Sequence, residues 1–284
     1  SAIPVISAEK YLFSLFDCAQ AGSSVTITPM PAIDPSIFKA YDVRARVSRL
    51  TPDAAYLIGC ALGSLAIERG FSQLAVARDG RLSSPALAQS LIAGVLQSGV
   101  DVLDLGLAAT PLLYFAANRL ANGCGAMITG SHNPPDYNGI KMMLGGDTID
   151  GAALQDLRVC IEAGRFSTGQ GTRHPRDISG EYCAAVAAQV RLLRPLKVVI
   201  DAGNGVAGAI APQLLRQLGC EVAMLYCAVD GHFPNHHPDP QDAANLGDLQ
   251  HEVTRQRADI GLAFDGDGDR LGVVTRTGNI VAGD

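Results

Sequence analysis

The chain has 284 residues, 48% of them hydrophobic and 18% charged, a balance that excludes disorder and exceeds what one small core usually holds, so two domains are expected. Its formal charge is -6 and no run of Lys or Arg occurs, which argues against a nucleic-acid surface and for a small-molecule partner. No window approaches the roughly 18 apolar residues of a membrane span, nothing reads as a secretory signal, and seven cysteines form no C-x-x-C pair, so a reduced, cytoplasmic setting is expected.

Residues 1–33 read as an extension, with a short helix over Ala8–Ala21 and then a Gly/Ser/Pro-rich linker, Gly22–Pro35. From there strand and helix patterns alternate. Leu74–Arg78 is a short buried strand, Pro85–Gln97 a helix, Val100–Leu105 a strand, Pro111–Leu120 a helix and Gly125–Ile128 a strand. After a polar loop come a strand around Ile140–Leu144 and a helix over Ala152–Glu162. The stretch Gly164–Gly180 is rich in Gly, Ser and Thr and reads as the connection between two domains, 34–176 and 177–284. Beyond it, a helix over Tyr182–Leu192, a strand at Leu196–Ile200, a helix over Ala207–Leu218, a strand at Val222–Leu225, a helix over Leu246–Arg255 and strands at Ile260–Phe264 and Leu271–Thr275 repeat the alternation. The expected fold is α/β: two consecutive three-layer α/β/α domains with mixed, mostly parallel sheets.

Two loops carry chemistry. Asp265-Gly-Asp267-Gly-Asp269-Arg270 follows a predicted strand directly, and ligand sites collect at the carboxyl ends of strands in such sheets. Alternate residues of an extended segment project to one side, so the three Asp converge, and a hard divalent cation with oxygen ligands, Mg2+ first, relieves their repulsion. A calcium helix-loop-helix requires Gly at the sixth position and Glu at the twelfth, where Arg270 and Arg276 stand. The second loop, Thr129-Gly-Ser131-His132-Asn133-Pro-Pro135, also follows a predicted strand and presents a hydroxyl. It reads equally as a nucleophile loop or as a turn in which Ser131 and Asn133 bond local backbone. His236 and His237 have no i, i+4 partner, which argues against zinc.

TGSHNPPDYNGIK and FDGDGDR, in this order, resemble the phosphoserine and metal loops of the α-D-phosphohexomutase superfamily, and the wording is nearest its phosphomannomutase/phosphoglucomutase branch. AYDVR at Ala40–Arg44, RDGRLSSP at Arg78–Pro85, DAGNGVAG at Asp201–Gly208 and DGHFPNHHPDP at Asp230–Pro240 extend the match from about residue 36 to the end. The resemblance implies that Ser131 is phosphorylated and that Asp265, Asp267 and Asp269, with Ser131, bind Mg2+. It places Lys141, His132 and Arg44 near the transferring phosphoryl group, Lys141 as proton carrier, and Tyr41, Arg44 and Arg270 at the substrate or its phosphate. The implied reaction interconverts hexose 6-phosphate and 1-phosphate, of mannose or glucose, through a 1,6-bisphosphate. Where the family usually has Gly, this chain has Ala45 and Ala77, and a backbone of positive φ there would resist the added methyl.

The sugar-reading and distal-phosphate loops of the family are not found, so a truncated half is expected, with Asn279–Asp284 approaching a third domain. Two other readings stay open: a non-catalytic module binding metal or sugar phosphate, and a mutase for an amino sugar.

Overall fold

The computed structural model describes residues 33–281, so the expected helix over Ala8–Ala21 and most of the linker after it lie outside the described residues. The first sheet contains β1 (Val43–Arg46), β2 (Gln73–Arg78), β3 (Asp101–Leu107), β4 (Gly125–Ile128), β5 (Tyr137–Leu144), β6 (Asp147–Thr148) and β7 (Arg173–Pro175). Their order is β1-β5-β4-β2-β3-β7, with β6 paired on β5. β4, β2, β3 and β7 run parallel, and β5 is antiparallel to both β1 and β4. Helices α1 (Pro52–Glu68), α2 (Ser84–Gln97), α3 (Thr110–Leu120) and α4 (Gly151–Glu162) cover it. Because successive strand residues point to opposite faces, the strands feed two cores. Leu74, Val76, Val102, Ala126 and Ile128 pack with α1, α2 and α4, whereas Ala75, Ala77, Leu103, Leu105 and Met127 pack with α3.

The second sheet, β8 (Lys197–Asp201), β9 (Glu221–Leu225), β10 (Ile260–Phe264), β11 (Leu271–Thr275) and β12 (Ile280–Val281), has the order β12-β11-β10-β8-β9. Its centre, β10-β8-β9, is parallel and its β11 and β12 edge antiparallel. α7 (Gly247–Gln256) brings Leu249 and Val253 onto Val199 and Ala263 on one face, while Ala211 of α6 (Ala211–Gln217) meets Val198 and Ile200 on the other. α5 (Ser179–Ala187) bridges the two layers, with the Tyr182 ring edge-on to Phe115 of α3 at 5.5 Å.

The expected α/β/α layers are present, with differences that have local causes. α1 was not read from the sequence because buried residues occupy most of its circumference, leaving no apolar stripe; the Thr51 cap and Pro52 were the available signal. The Gly-rich connection supplies β7, which pairs with β3 through Val102, Leu103 and Asp104. The helix expected over Ala207–Leu218 is a 3-10 turn at Val206–Ala209 followed by α6, since Pro212 lacks an N–H and belongs in a first turn. α5 starts earlier, at Ser179, whose N–H is accepted by the Asp177 side chain. Ala45 and Ala77 lie in β1 and β2 with negative φ, so the extra methyl groups meet no backbone penalty.

In the second domain the passages after β8 and β9 are knitted together. Asn204 donates to the Ala228 carbonyl (2.9 Å) and accepts from Asn235 (2.7 Å). His236 is committed to Asp201 (Nε2 to Oδ2, 2.9 Å) and to the His237 carbonyl (2.9 Å), as befits a structural histidine.

Candidate active site

The carboxyl ends of β4 and β10 face each other across the domain boundary. The loop after β4 carries Ser131, buried to 2% exposure and held at φ 50°, a left-handed backbone uncommon for a residue with a side chain. Its N–H donates to Thr129 Oγ1 (2.7 Å), and its hydroxyl donates across 134 residues of sequence to Asp265 Oδ2 (2.7 Å). His132 Nδ1 lies 3.3 Å from the same Oγ. Burial, and then the nearby Arg270, lower the pKa of that imidazole.

The acidic loop after β10 turns back on itself: Asp265 Oδ1 accepts the backbone N–H groups of Asp269 and Arg270, each at 3.0 Å. A Cβ at Gly266 would lie 2.5 Å from the Ser131 carbonyl oxygen, so only glycine permits the two loops this close. Thr110, first residue of α3, donates its N–H to the Asp267 carbonyl (2.9 Å) and its hydroxyl to Asp267 Oδ2 (2.6 Å). Asp265 and Asp267 are fully buried, and one carboxylate oxygen from each of Asp265, Asp267 and Asp269 can be chosen within 4.8 Å of the others.

Three carboxylates so placed are electrostatically incomplete. Burial, and then the adjacent Asp267, push Asp265 well above the usual carboxylate range. For Asp267 burial also opposes charge, but Lys141 and Thr110 outweigh it and hold the group low. Asp267 Oδ1 is buried without any hydrogen-bond partner, a costly state for an oxygen bearing charge. A hard cation coordinated by oxygen fits this donor set and accounts for that oxygen.

Lys141 on β5 donates to Asp267 Oδ2 (2.8 Å) and Asp269 Oδ2 (2.5 Å). Burial works against its charge, yet the two carboxylates raise its pKa above the ordinary lysine value, so as held here it is an ammonium. It brings a positive charge to the three carboxylates and is not a vacant base. Arg44 on β1 touches the serine loop at Asn133 and not at Ser131 itself: its guanidinium pairs with Asp42 (2.5 Å) and donates to Asn133 Oδ1 (2.6 Å). Arg270 donates to Gln241 (2.9 Å) at the rim beside His132. Tyr41 is not brought into this cluster: it is 77% exposed and makes no side-chain hydrogen bond.

Four participants escaped the sequence reading. Thr110 had only its place after a strand as a signal. Asp79 and Arg81 lay inside the quoted RDGRLSSP, and Phe233 inside DGHFP, with no role attached. Arg81 is fully buried, and its guanidinium donates to the carbonyls of Ser131, Asn133, Pro134 and Tyr137 at 2.8, 2.6, 2.6 and 3.0 Å.

Two α/β/α domains whose facing loops set a buried serine against a cluster of three aspartates define a two-domain α/β protein with its candidate site at the domain boundary. Residues 35–167 match the family description "Phosphoglucomutase/phosphomannomutase, alpha/beta/alpha domain I", and residues 180–278 match domain II of the same family. A phosphoglucomutase of Neisseria meningitidis serogroup B is 54% identical over 255 residues, covering 89% of this chain and 55% of the relative. A phosphomannomutase/phosphoglucomutase of Pseudomonas aeruginosa is 51% identical over 252 residues, covering 88% and 54%. The crystal structure of a phosphoglucomutase/phosphomannomutase family protein from Burkholderia thailandensis superposes with a TM-score of 0.86 at 47% identity, over 88% of this chain and 57% of that one. The chain belongs to the phosphoglucomutase/phosphomannomutase family of the α-D-phosphohexomutase superfamily. It spans about half the length of the curated relatives it matches.

Proposed function

We propose that this chain carries the phosphoserine and metal half of the site of a phosphohexomutase that interconverts hexose 6-phosphate and hexose 1-phosphate, of glucose or mannose. The observation that carries the reading is the 2.7 Å contact of Ser131 Oγ with Asp265, one of three clustered carboxylates. Asp265, Asp267 and Asp269, with the Ser131 oxygen or its phosphoryl group, would hold Mg2+, which when bound supplies positive charge to the phosphoryl oxygens.

In the loading step Ser131 Oγ bonds to a phosphorus of a hexose 1,6-bisphosphate while the bond from that phosphorus to the sugar oxygen breaks. The serine proton ends on the released sugar hydroxyl. The reverse step, on the other hydroxyl of a hexose monophosphate, returns a bisphosphate, and turnover within the site exchanges the 1- and 6-positions. Lys141, 2.5 to 2.8 Å from two of the carboxylates, is placed to give a proton to a departing oxygen and to offset phosphoryl charge. His132 Nδ1, 3.3 Å from Ser131 Oγ, is the ring nitrogen within reach of the serine proton. Arg44 and Arg270, at the edge of the serine loop and at the rim beside His132, would meet the phosphate of an entering sugar, and the exposed Tyr41 is proposed to join them only from outside the cluster.

Incubation with glucose 1,6-bisphosphate and Mg2+, followed by mass spectrometry of the loop peptide, tests this. One phosphate on Ser131 is expected. No phosphate, or phosphate on Ser83 or Ser84 instead, refutes it.

A further inference from the structure

We propose that Arg81 is a positioning residue for phosphoryl transfer: it imposes the serine-loop shape that aims Ser131 at Asp265, and Phe233 of the second domain locks it there. This rests on the mutase reading above.

A guanidinium has five N–H donors in one plane, and Arg81 uses all five inside the protein. Four go to the loop carbonyls of Ser131, Asn133, Pro134 and Tyr137, and the fifth, Nε–H, goes to Asp79 Oδ2 (3.1 Å). Asp79 completes the grip, accepting the Gly130 N–H (3.2 Å) as well as the Ser84 hydroxyl (2.5 Å). A Cβ at Gly130 would fall 2.4 Å from Arg81 Cζ, so the loop lies directly on the guanidinium plane. The left-handed backbone at Ser131 persists only where its surroundings over-determine it, and the carbonyl grip is that over-determination.

The grip also crosses the domain boundary. Phe233, 9% exposed and itself at φ 51°, lays its ring 5.2 Å from Arg81 Cζ, an attractive arrangement for a desolvated cation. The same second domain carries Asp265, so one docking event seats the carboxylate acceptor of the serine and the clamp on the serine loop together. With no exposed surface, Arg81 cannot touch a sugar phosphate. Its influence must therefore fall on the rate of transfer and not on substrate binding.

The test measures Ser131 phosphorylation by glucose 1,6-bisphosphate in the unmodified protein, in Arg81→Lys and in Phe233→Leu, with Mg2+ affinity by calorimetry and thermal melts alongside. Lysine keeps the charge but lacks the planar fork, and a misplacement near 1 Å lowers transfer about a hundredfold, so that loss of maximal rate is expected for Arg81→Lys. The half-saturating bisphosphate concentration and the Mg2+ affinity should each move by less than about threefold, the pattern of an interaction made only in the transition state. Phe233→Leu keeps apolar cover, loses the ring face, and should slow transfer by about threefold without altering half-saturation. If Arg81→Lys does not fold, Phe233→Leu decides alone. Folded variants that transfer at the unmodified rate, or that raise half-saturation with the maximal rate intact, overturn the proposal. An unmodified protein that takes no phosphate refutes the mutase reading and this inference with it, whereas label in the unmodified protein with unchanged variants refutes Arg81 alone.

Discussion

The serine loop and the acidic loop both leave the end of a sheet strand, yet they are stabilised in opposite ways. Around Ser131 the protein satisfies itself: Asp79 and Arg81 bind its carbonyls and N–H groups, and every buried side-chain donor and acceptor there has a partner. In the acidic loop, Asp267 Oδ1 is the single orphaned buried side-chain atom among the described residues, and the cluster holds three carboxylates against one lysine. On the proposed mutase reading, the difference separates two tasks. A nucleophile must be aimed before the substrate arrives, which calls for a closed hydrogen-bond account, whereas a cation site must leave charge uncompensated so that the ion has something to bind.

The most severe way to break this comparison is Ser131→Ala, which should abolish incorporation of phosphate from glucose 1,6-bisphosphate into the loop peptide while leaving Mg2+ affinity measurable by calorimetry. Residual label at the unmodified level would show that the aimed hydroxyl is not the acceptor.

Next comes the self-satisfied side. Asp79→Ala leaves Arg81 buried without its counter-charge, and breaking a buried pair in this way costs about 3–5 kcal/mol, to be read as a lower midpoint in urea unfolding. A loss below about 1 kcal/mol would place the pair among exposed ion pairs and contradict its role as a clamp.

The uncompensated side should respond to the ion instead. Metal at a hundred times its dissociation constant adds about 2.7 kcal/mol to the stability of a protein with one such site, a rise of about 5–11 °C in melting temperature, since each 1 kcal/mol moves it about 2–4 °C at 150–250 residues. Chelation should reverse it. Even changes behind the ligands weaken metal sites by 10- to 100-fold, so Asp267→Asn should lower Mg2+ affinity by about a hundredfold or more and cancel the thermal shift. Unchanged affinity in a folded Asp267→Asn protein would remove the triad from consideration.

The smallest effect lies outside both loops. The hydrogen bond to Asp201 raises the pKa of His236 above its ordinary 6.5, against the opposing influence of burial. A raised folded value means the contribution is complete below about pH 6.5 and is lost as pH climbs through the raised value. His236→Gln should remove a pH-dependent component on the order of 1 kcal/mol from unfolding measured on either side of that window, and leave the serine label unchanged. A pH profile identical in both proteins would show that the pair carries no linkage.

The parts legible from sequence were those whose signal is local. Gly125–Ile128, Ile260–Phe264 and Leu271–Thr275 have the same ends in the structure as in the sequence reading, because short apolar runs bounded by turn residues define strands without tertiary help. α1 was illegible for the converse reason: buried on most sides between α2, α4 and the sheet, it has no polar face to mark its period. At the site, the spacing of Asp265, Asp267 and Asp269 pointed to a cation, whereas the loop of Ser131 read equally as a nucleophile loop or as a turn. Asp79, Arg81 and Thr110 announced nothing, since an arginine that binds carbonyls looks like any other in the chain.

What the sequence alone determined, then, was an alternation of strands and helices and two loops of recognisable chemistry, each set by neighbours within a few residues. The tertiary structure decided their relation: Ser131 and Asp265, 134 residues apart, meet at 2.7 Å, and Arg81 gathers four carbonyls from a loop some 50 residues downstream. Periodicity and turn chemistry act along the chain and can be read there. Burial and the packing of one domain on another act through space, and these set the buried Ser131 hydroxyl against a cluster of three carboxylates.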